Sequence, residues 1–386
     1  MKTIAQQLVE LQEQHAYRQR RVLQGPQGTE IYVDGNQYLS FCSNDYLGLA
    51  NDERVCQAAK DAINKFGVGS GASQLISGYS SAHIDLEKQL AKFFGFEQVV
   101  LFSSGYLANL GVLATFTKKD TLILEDRLNH ASLIDAAKHS NAKLKRYKHC
   151  DFHHAEQIIN NENANQILIA TDGVFSMEGT IAPIEELYKL KRKYGGYLVI
   201  DDAHGIGVLG DNGKGSLEAE NIDVTKVDLL IGTFGKSFGT SGAYVCGSKD
   251  YIEFLIQKAR TLIYTTAPAP ALAAATSKSL DIIIKEPERR TRLHGNIQYF
   301  RESLAKTPLQ LEDSITAIQT IELGDNEKAI KFSQALEEYK LLVIAIRPPT
   351  VPPKSARLRI TLCSEHTYAQ IDKLVSALAE INQRLN

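Results

Sequence analysis

Short apolar strands recurring between amphipathic helical stretches predict an α/β fold: a large domain with a mostly parallel sheet covered by helices, then a smaller C-terminal α/β domain. Three observations carry this reading. Residues 99–102, 121–124, 167–171 and 197–201 are apolar runs without the in–out alternation of a half-exposed strand. Helical spacing fills the intervals, as over 82–94, where Leu86, Leu90, Phe93 and Phe94 share a face. A hydrophobic content of 44% over 386 residues supports a large core.

In chain order, residues 2 to 23 place Ile4, Leu8 and Leu11 at helical spacing on a polar helix that ends in Arg18, Arg20 and Arg21. Such an arginine-tipped helix is ordinarily a solvated surface element. Residues 29–33 and 37–41 are strands around Asp34-Gly35-Asn36, a hairpin signal. The polar turn Cys42-Ser-Asn-Asp-Tyr-Leu-Gly48 precedes a helix over 53–66, and 67–73 is a glycine-rich loop. The alternation then runs helix 82–94, strand 99–102, helix 106–116, strand 121–124, helix 131–138, strand 143–147 and helix 153–160. It continues through strand 167–171, helix 184–194 and strand 197–201. The apolar run 229–231, Gly232, a lysine (Lys236) flanked by Gly235, Gly239 and Gly242, and the run 243–246 read as strand, tight turn, strand. Beyond Thr265-Thr-Ala-Pro-Ala-Pro270 come helices over 271–284 and 289–305, strands 317–321, 343–346 and 357–361, and helices 327–339 and 367–384. The expected division is a segment 1–50, a large domain 51–270 and a small domain 271–386.

Charge and cysteines exclude several classes. Lys plus Arg number 43 against Asp plus Glu 45, a net charge of −2 with no basic tail, which argues against nucleic acid and anionic membrane as partners. The five cysteines are scattered without a Cys-x-x-Cys pair, as in a reducing cytoplasm. The N-terminus has no apolar h-region, and no stretch approaches a membrane span.

In parallel sheets ligands collect at the carboxyl ends of the strands, so what each strand delivers there matters. The first delivers Ser103-Ser-Gly-Tyr106 into a helix start, which is either plain N-capping or a phosphate site. The next delivers Asn129-His130, then come Ser176 and the pair Asp201-Asp202 followed by His204, and finally Lys236. Successive strand residues face opposite sides, so Asp201 and Asp202 serve different roles. Lys236 among small residues suits a Schiff-base lysine, the plainer alternative being a surface lysine on a Gly-rich hairpin. Lysine, carboxylate for a ring nitrogen, phosphate donors and a flat side chain are the parts pyridoxal phosphate requires. Two decoys fail on context. Gly205-Ile-Gly-Val-Leu-Gly210 is followed by a polar glycine-rich run where a dinucleotide fold needs a helix. His149-Cys-Asp-Phe-His-His154 matches no zinc spacing and reads as a solvated loop, so no metal is expected.

These residues resemble the α-oxoamine synthases among the fold-type I pyridoxal phosphate enzymes, nearly end to end. The resemblance runs through Ser43-Asn-Asp-Tyr-Leu-Gly-Leu49, Gly69-Ser-Gly-Ala-Ser73, Ser77-Gly-Tyr79 with His83, Gly105-Tyr106 and Asn129-His-Ala-Ser132. It continues in Gly173-Val-Phe-Ser-Met-Glu-Gly179, Asp201-Asp-Ala-His-Gly205, Thr233-Phe-Gly-Lys236, Ile346-Arg-Pro-Pro-Thr-Val-Pro352 and Ala356-Arg-Leu-Arg-Ile-Thr361. It implies a fold-type I transferase in which Lys236 holds the cofactor, Asp201 meets its ring nitrogen, His130 stacks on the ring and His204 donates to the ring hydroxyl. Gly105, Tyr106, Ser176 and Thr233 become cofactor contacts, with Thr266 reaching the phosphate of a second subunit in a homodimer. Arg18 (or Arg20), His130, Thr350 and Arg359 would face substrate, Arg359 through a two-pronged bond to the amino-acid carboxylate. The Ile346 to Pro352 segment points to the family member of biotin synthesis. The implied activity is condensation of L-alanine with a pimeloyl thioester, on coenzyme A or an acyl carrier protein, with loss of CO2. A glycine C-acetyltransferase, an aminotransferase of the same fold and a catalytically silent partner subunit are the alternatives.

Overall fold

A computed structural model describes residues 2–14, 16–162, 164–348 and 350–385. Pro349, inside the Ile346 to Pro352 motif, lies outside the described residues. The chain forms two compact units. One comprises Met1–Gly48, Met177–Gly179 and Thr291–Asn386; the other comprises Leu49–Ser176 and Thr180–Arg290.

The first unit opens with helix Ile4–Glu13, started by a capping box between Thr3 and Gln6. The helix stops well before the arginines, correcting the expected span to residue 23. The apolar stripe ends at Leu11, and the Ala16 and Tyr17 N–H groups both turn back to the Leu11 carbonyl. Strands β1 (Glu30–Val33) and β2 (Asn36–Ser40) form the expected hairpin, with Asp34 and Gly35 in the left-handed region (φ 50° and 77°). That pair of positive φ values is what an Asp-Gly turn supplies.

The larger unit carries a seven-stranded sheet: β3 (Gln98–Phe102), β4 (Thr121–Asp126), β5 (Lys143–Tyr147), β6 (Gln166–Asp172), β7 (Gly196–Asp201), β8 (Leu229–Thr233) and β9 (Ala243–Gly247). Their order is β3-β9-β8-β7-β6-β4-β5, and β9 alone runs antiparallel to its neighbours. This is the mostly parallel sheet that the unbroken apolar runs predict. One face packs Val100, Ile123, Leu168 and Val199 against Val112, Leu113, Leu133 and Ala136 of the helices Gly105–Phe116 and Ala131–His139. Each buried aliphatic of this kind contributes about 1.5–3 kcal/mol. Parallel pairing sets Asp172 beside Asp201 in register, so the carboxyl ends of β6 and β7 finish level. The unit extends to Arg290 rather than to 270. Helix Pro270–Lys285 packs on helices Glu53–Phe66 and Ser81–Phe94, and the buried Arg290 donates to the carbonyls of Ile283 and Asp211.

The first unit resumes with β10 (Ile318–Gly324), β11 (Leu341–Leu342), β12 (Ile344–Ile346) and β13 (Ala356–Thr361). Sheet order is β1-β2-β11 and β10-β13-β12. Because β11 pairs parallel with β2, the N-terminal segment belongs to the same unit as the C-terminal one instead of standing apart. None of the described helices is long and apolar enough to cross a membrane. All five cysteines are free of disulfides.

Candidate active site

Strands β8 and β9 pair directly, Thr233 opposite Ala243, and the turn between them carries Lys236, half-buried. Thr233 Oγ1 donates to the Gly242 carbonyl at 3.0 Å and the Gly239 N–H donates to the Lys236 carbonyl at 2.8 Å, so the turn is internally braced. Its glycines do not all do what composition suggests. Gly239 has φ 65°, and a Cβ there would sit 2.3 Å from Ala50 N, so it makes room for the chain's own backbone. Gly235 is the open one, its nearest neighbour Thr233 Oγ1 at 3.8 Å.

A cavity of about 200 Å³ lies at the ends of β6, β7 and β8, and its wall brings together Gly105, Tyr106, His130, Asp201, His204, Thr233 and Lys236. Ser132, Asp172, Val174 and Ala203 complete the lining. Ser104 caps helix Gly105–Phe116, its Oγ accepting from Leu107 N at 3.3 Å, so the plain capping role is real. The cap leaves the helix start, with its positive dipole end, at the cavity wall.

His130 caps the next helix: its Nδ1 accepts from Ser132 N at 3.3 Å. Its own N–H donates to Asp172 Oδ2 at 3.0 Å. Burial holds the His130 pKa below the ordinary value; Lys236 adds to this and Asp201 opposes it. Asp201 Oδ2 accepts from Asn109 Nδ2 at 2.6 Å and Oδ1 from Ala203 N at 3.2 Å. Asp172 is fully buried, and burial with the adjacent Asp201 raises its pKa well above the carboxylate range. Asp202 turns to the other side, as alternation requires, with its carboxyl enclosed and Oδ2 accepting from Ser216 N at 2.7 Å.

The remaining candidates are not among the lining residues. Ser176 is buried and not among the lining residues. Thr266 is exposed, bridged to Ser73, with its carbonyl accepting from Ser103 Oγ. In the first unit Arg18, Arg20 and Thr350 are exposed, while Arg359 is buried and donates to Thr361 Oγ1 at 2.9 Å and Asn44 Oδ1 at 3.1 Å. Gly205 to Gly210 form turns and no helix, so the dinucleotide motif is indeed a decoy. The histidine-cysteine stretch is not simply solvated. His149 sits between Asp126 Oδ1 (3.1 Å) and Thr180 Oγ1 (2.9 Å); desolvation of the ring lowers its pKa, but Asp126 and Cys150 together outweigh that and push it up to about 10.

Asn109 and Ser132 escape sequence reasoning. An asparagine within the otherwise apolar helix Gly105–Phe116 is the one signal that could have found Asn109; for Ser132, only its place in the Asn129-His-Ala-Ser132 motif could have.

The chain matches the aminotransferase class I and II family over residues 36–378. It is 47% identical to an 8-amino-7-oxononanoate synthase of Nitrosococcus oceani over 375 residues, covering 97% of this chain and 100% of the relative. Among solved structures, an 8-amino-7-oxononanoate synthase from Francisella tularensis is 32% identical with a TM-score of 0.79, over 90% of this chain and 98% of that one. A serine palmitoyltransferase from S. paucimobilis with a bound PLP–myriocin aldimine is 29% identical with a TM-score of 0.93, over 98% of this chain and 96% of that one.

Proposed function

The chain belongs to the 8-amino-7-oxononanoate synthases within the class I and II aminotransferase family, and on that premise we propose that it joins L-alanine to a pimeloyl thioester. The observation that carries this is one cavity lined by Lys236, Asp201, His130 and His204 at a helix N-terminus. The donor set fits pyridoxal phosphate, the cofactor of this fold: an amine, an acceptor carboxylate, a flat ring, and backbone N–H groups for a dianion. Bound there, the cofactor supplies an aldehyde for amines and a protonated ring that stabilises negative charge on the substrate α-carbon.

Lys236 would hold the cofactor through Nζ and, once displaced by the alanine amine, would take the proton from the alanine α-carbon. Asp201 would keep the proton on the ring nitrogen, and Asn109 Nδ2 and Ala203 N hold its carboxylate in place. His130 would cover the ring face and also border the substrate, and His204 would donate to the ring hydroxyl. Gly105, Tyr106, Ser176 and Thr233 would be further cofactor contacts. Arg359, Arg18 (or Arg20) and Thr350 bind substrate, Arg359 the amino-acid carboxylate. In the net reaction a bond forms between the alanine α-carbon and the thioester carbonyl carbon, the C–S bond breaks to release the thiol carrier, the C–CO2 bond breaks to release CO2, and the α-carbon takes a proton back. The carrier is coenzyme A or an acyl carrier protein.

The working form is a homodimer in the cytoplasm, Thr266 meeting the second subunit's phosphate. Val68, Ile76 and Tyr264, which are 76%, 80% and 70% exposed, support an interface on the larger unit. Light scattering that returns a monomer at working concentration overturns this part. The function is tested by identifying products from a panel of amino acids and acyl thioesters. L-alanine with a pimeloyl thioester should give 8-amino-7-oxononanoate and CO2. Preferential turnover of glycine with acetyl-CoA, or an oxo acid without CO2, would overturn the reading.

A further inference from the structure

Asp201 and His130 stand on different elements, yet hydrogen bonds join them without a break. Asp201 Oδ2 accepts from Asn109 Nδ2 at 2.6 Å, the same nitrogen donates to Ser132 Oγ at 2.8 Å, and Ser132 Oγ lies 2.7 Å from His130 Nδ1. Asn109 and Ser132 are 0% and 1% exposed, so water does not compete for these bonds.

The direction of each bond follows from chemistry. A carboxylate only accepts, which turns the Asn109 NH2 toward Asp201. The amide keeps that orientation although it leaves Asn109 Oδ1 buried without a partner. The second amide hydrogen then falls to Ser132 Oγ, which acts as its acceptor. The serine hydroxyl hydrogen remains for His130 Nδ1, which also receives the Ser132 backbone N–H. A ring nitrogen receiving donors carries no proton of its own, so the neutral ring holds its proton on Nε2.

We propose that Asn109 and Ser132 are positioning residues through which Asp201 sets the tautomer of His130, holding it in the Nε2–H form. The proposal deepens the cofactor reading above and rests on the same cavity. Protonating Nδ1 would turn Ser132 Oγ from donor to acceptor, leave its hydroxyl hydrogen without this partner in a buried site, and set the new Nδ1–H against the Ser132 backbone N–H. The relay therefore opposes a charged His130. The other groups bearing on this ring are Asp201, Lys236 and Asp135, with Asp172 on its backbone N–H, and burial works in the same sense as the relay.

The test is long-range 1H–15N spectroscopy of the holoenzyme labelled at histidine nitrogens, the His130 signals identified by their loss in His130→Gln. The wild type should show Nδ1 unprotonated and Nε2 protonated. Ser132→Ala removes a donor to the neutral ring, so the His130 pKa should rise, by roughly half a unit to one unit. Ser132→Thr, which keeps the hydroxyl, should restore it, and Asn109→Leu should give an intermediate rise. A wild-type ring protonated on Nδ1, or an unchanged or lowered pKa in Ser132→Ala, overturns the relay. Should Ser132→Ala not fold, the wild-type tautomer decides alone. Protein that takes up no pyridoxal phosphate would refute the cofactor reading, while the tautomer in the same sample still judges the relay.

Discussion

Asp201 and Asp202 are identical side chains, adjacent in sequence, that serve regions built on opposite rules. Asp201 faces an open cavity among polar partners and a lysine. Asp202 is enclosed: Cβ atoms on Gly173, Gly205 and Gly215 would come within 2.5, 2.2 and 2.0 Å of its carboxyl oxygens. Ser216 N reaches one oxygen, and the other is buried without a partner. The open region keeps space for chemistry beside charge, whereas the closed one removes space so that three chain segments meet on one carboxyl. Those segments, after β6, after β7 and before helix Ser216–Ala219, include neighbours of the lining residues Asp172, Val174, Ala203 and His204. The difference suggests that the closed region is the brace for the open one, and substitutions on each side should part accordingly.

The largest effect belongs to the open side. Lys236→Ala should abolish the borohydride-trappable lysine adduct and lower kcat by roughly 10⁴-fold, the upper range for a positioned acid–base group. The melting temperature of the cofactor-free protein should move little, since the variant keeps the Thr233 Oγ1 and Gly239 N–H bonds to backbone carbonyls that brace the turn. Trapping on another lysine, seen by peptide mapping, would refute the assignment.

On the closed side the next effect is a pH term. Burial, reinforced by Asp201, pushes the Asp202 carboxyl from 3.8 up to about 7, although the Ser216 N–H favours the charged form. An acid whose folded pKa is raised contributes stability that is complete below the unfolded value and is lost as pH climbs to the folded one. Here that window runs from about 4 to about 7, and the contribution is on the order of 4 kcal/mol at most, at 1.36 kcal/mol per unit. Asp202→Asn removes the titration, so its melting temperature should fall less than that of the wild type between those pH values. Parallel profiles would show that Asp202 does not titrate there.

Alternation makes the division between the two aspartates legible in the sequence, because neighbouring residues of a strand point oppositely. The parallel sheet was legible for a similar reason, in apolar runs that need cover on both faces. The glycine enclosure was not, because Gly173, Gly205 and Gly215 converge only through the fold. Nor was the Asn109–Ser132 link, which spans two helices. The first helix misled because a run of arginines extends a helical composition past the last apolar residue that packing could use.

Gly173→Ala tests the enclosure more gently. Its Cβ would fall 2.5 Å from Asp202 Oδ1 and 2.7 Å from Ser216 Oγ, a crowding that costs about 1–3 kcal/mol. Denaturant midpoints should drop accordingly, and the crowding should ease in the Gly173→Ala/Asp202→Ala double variant. Simple additivity would mean the two groups do not press on each other.

Gly235→Ala sets the lower bound and separates the two meanings a glycine has in this protein. The position is exposed, its φ lies outside the left-handed region, and a Cβ would find nothing closer than 3.8 Å. Stability should therefore stay within about 0.5 kcal/mol of wild type. Any loss would have to appear in cofactor affinity, measured by equilibrium dialysis, because a Cβ at Gly235 meets nothing in the chain closer than 3.8 Å. A weakened affinity at unchanged stability marks Gly235 as open for a ligand. A loss of stability with affinity intact would place it with Gly173 and Gly239, where the space is already taken by the chain.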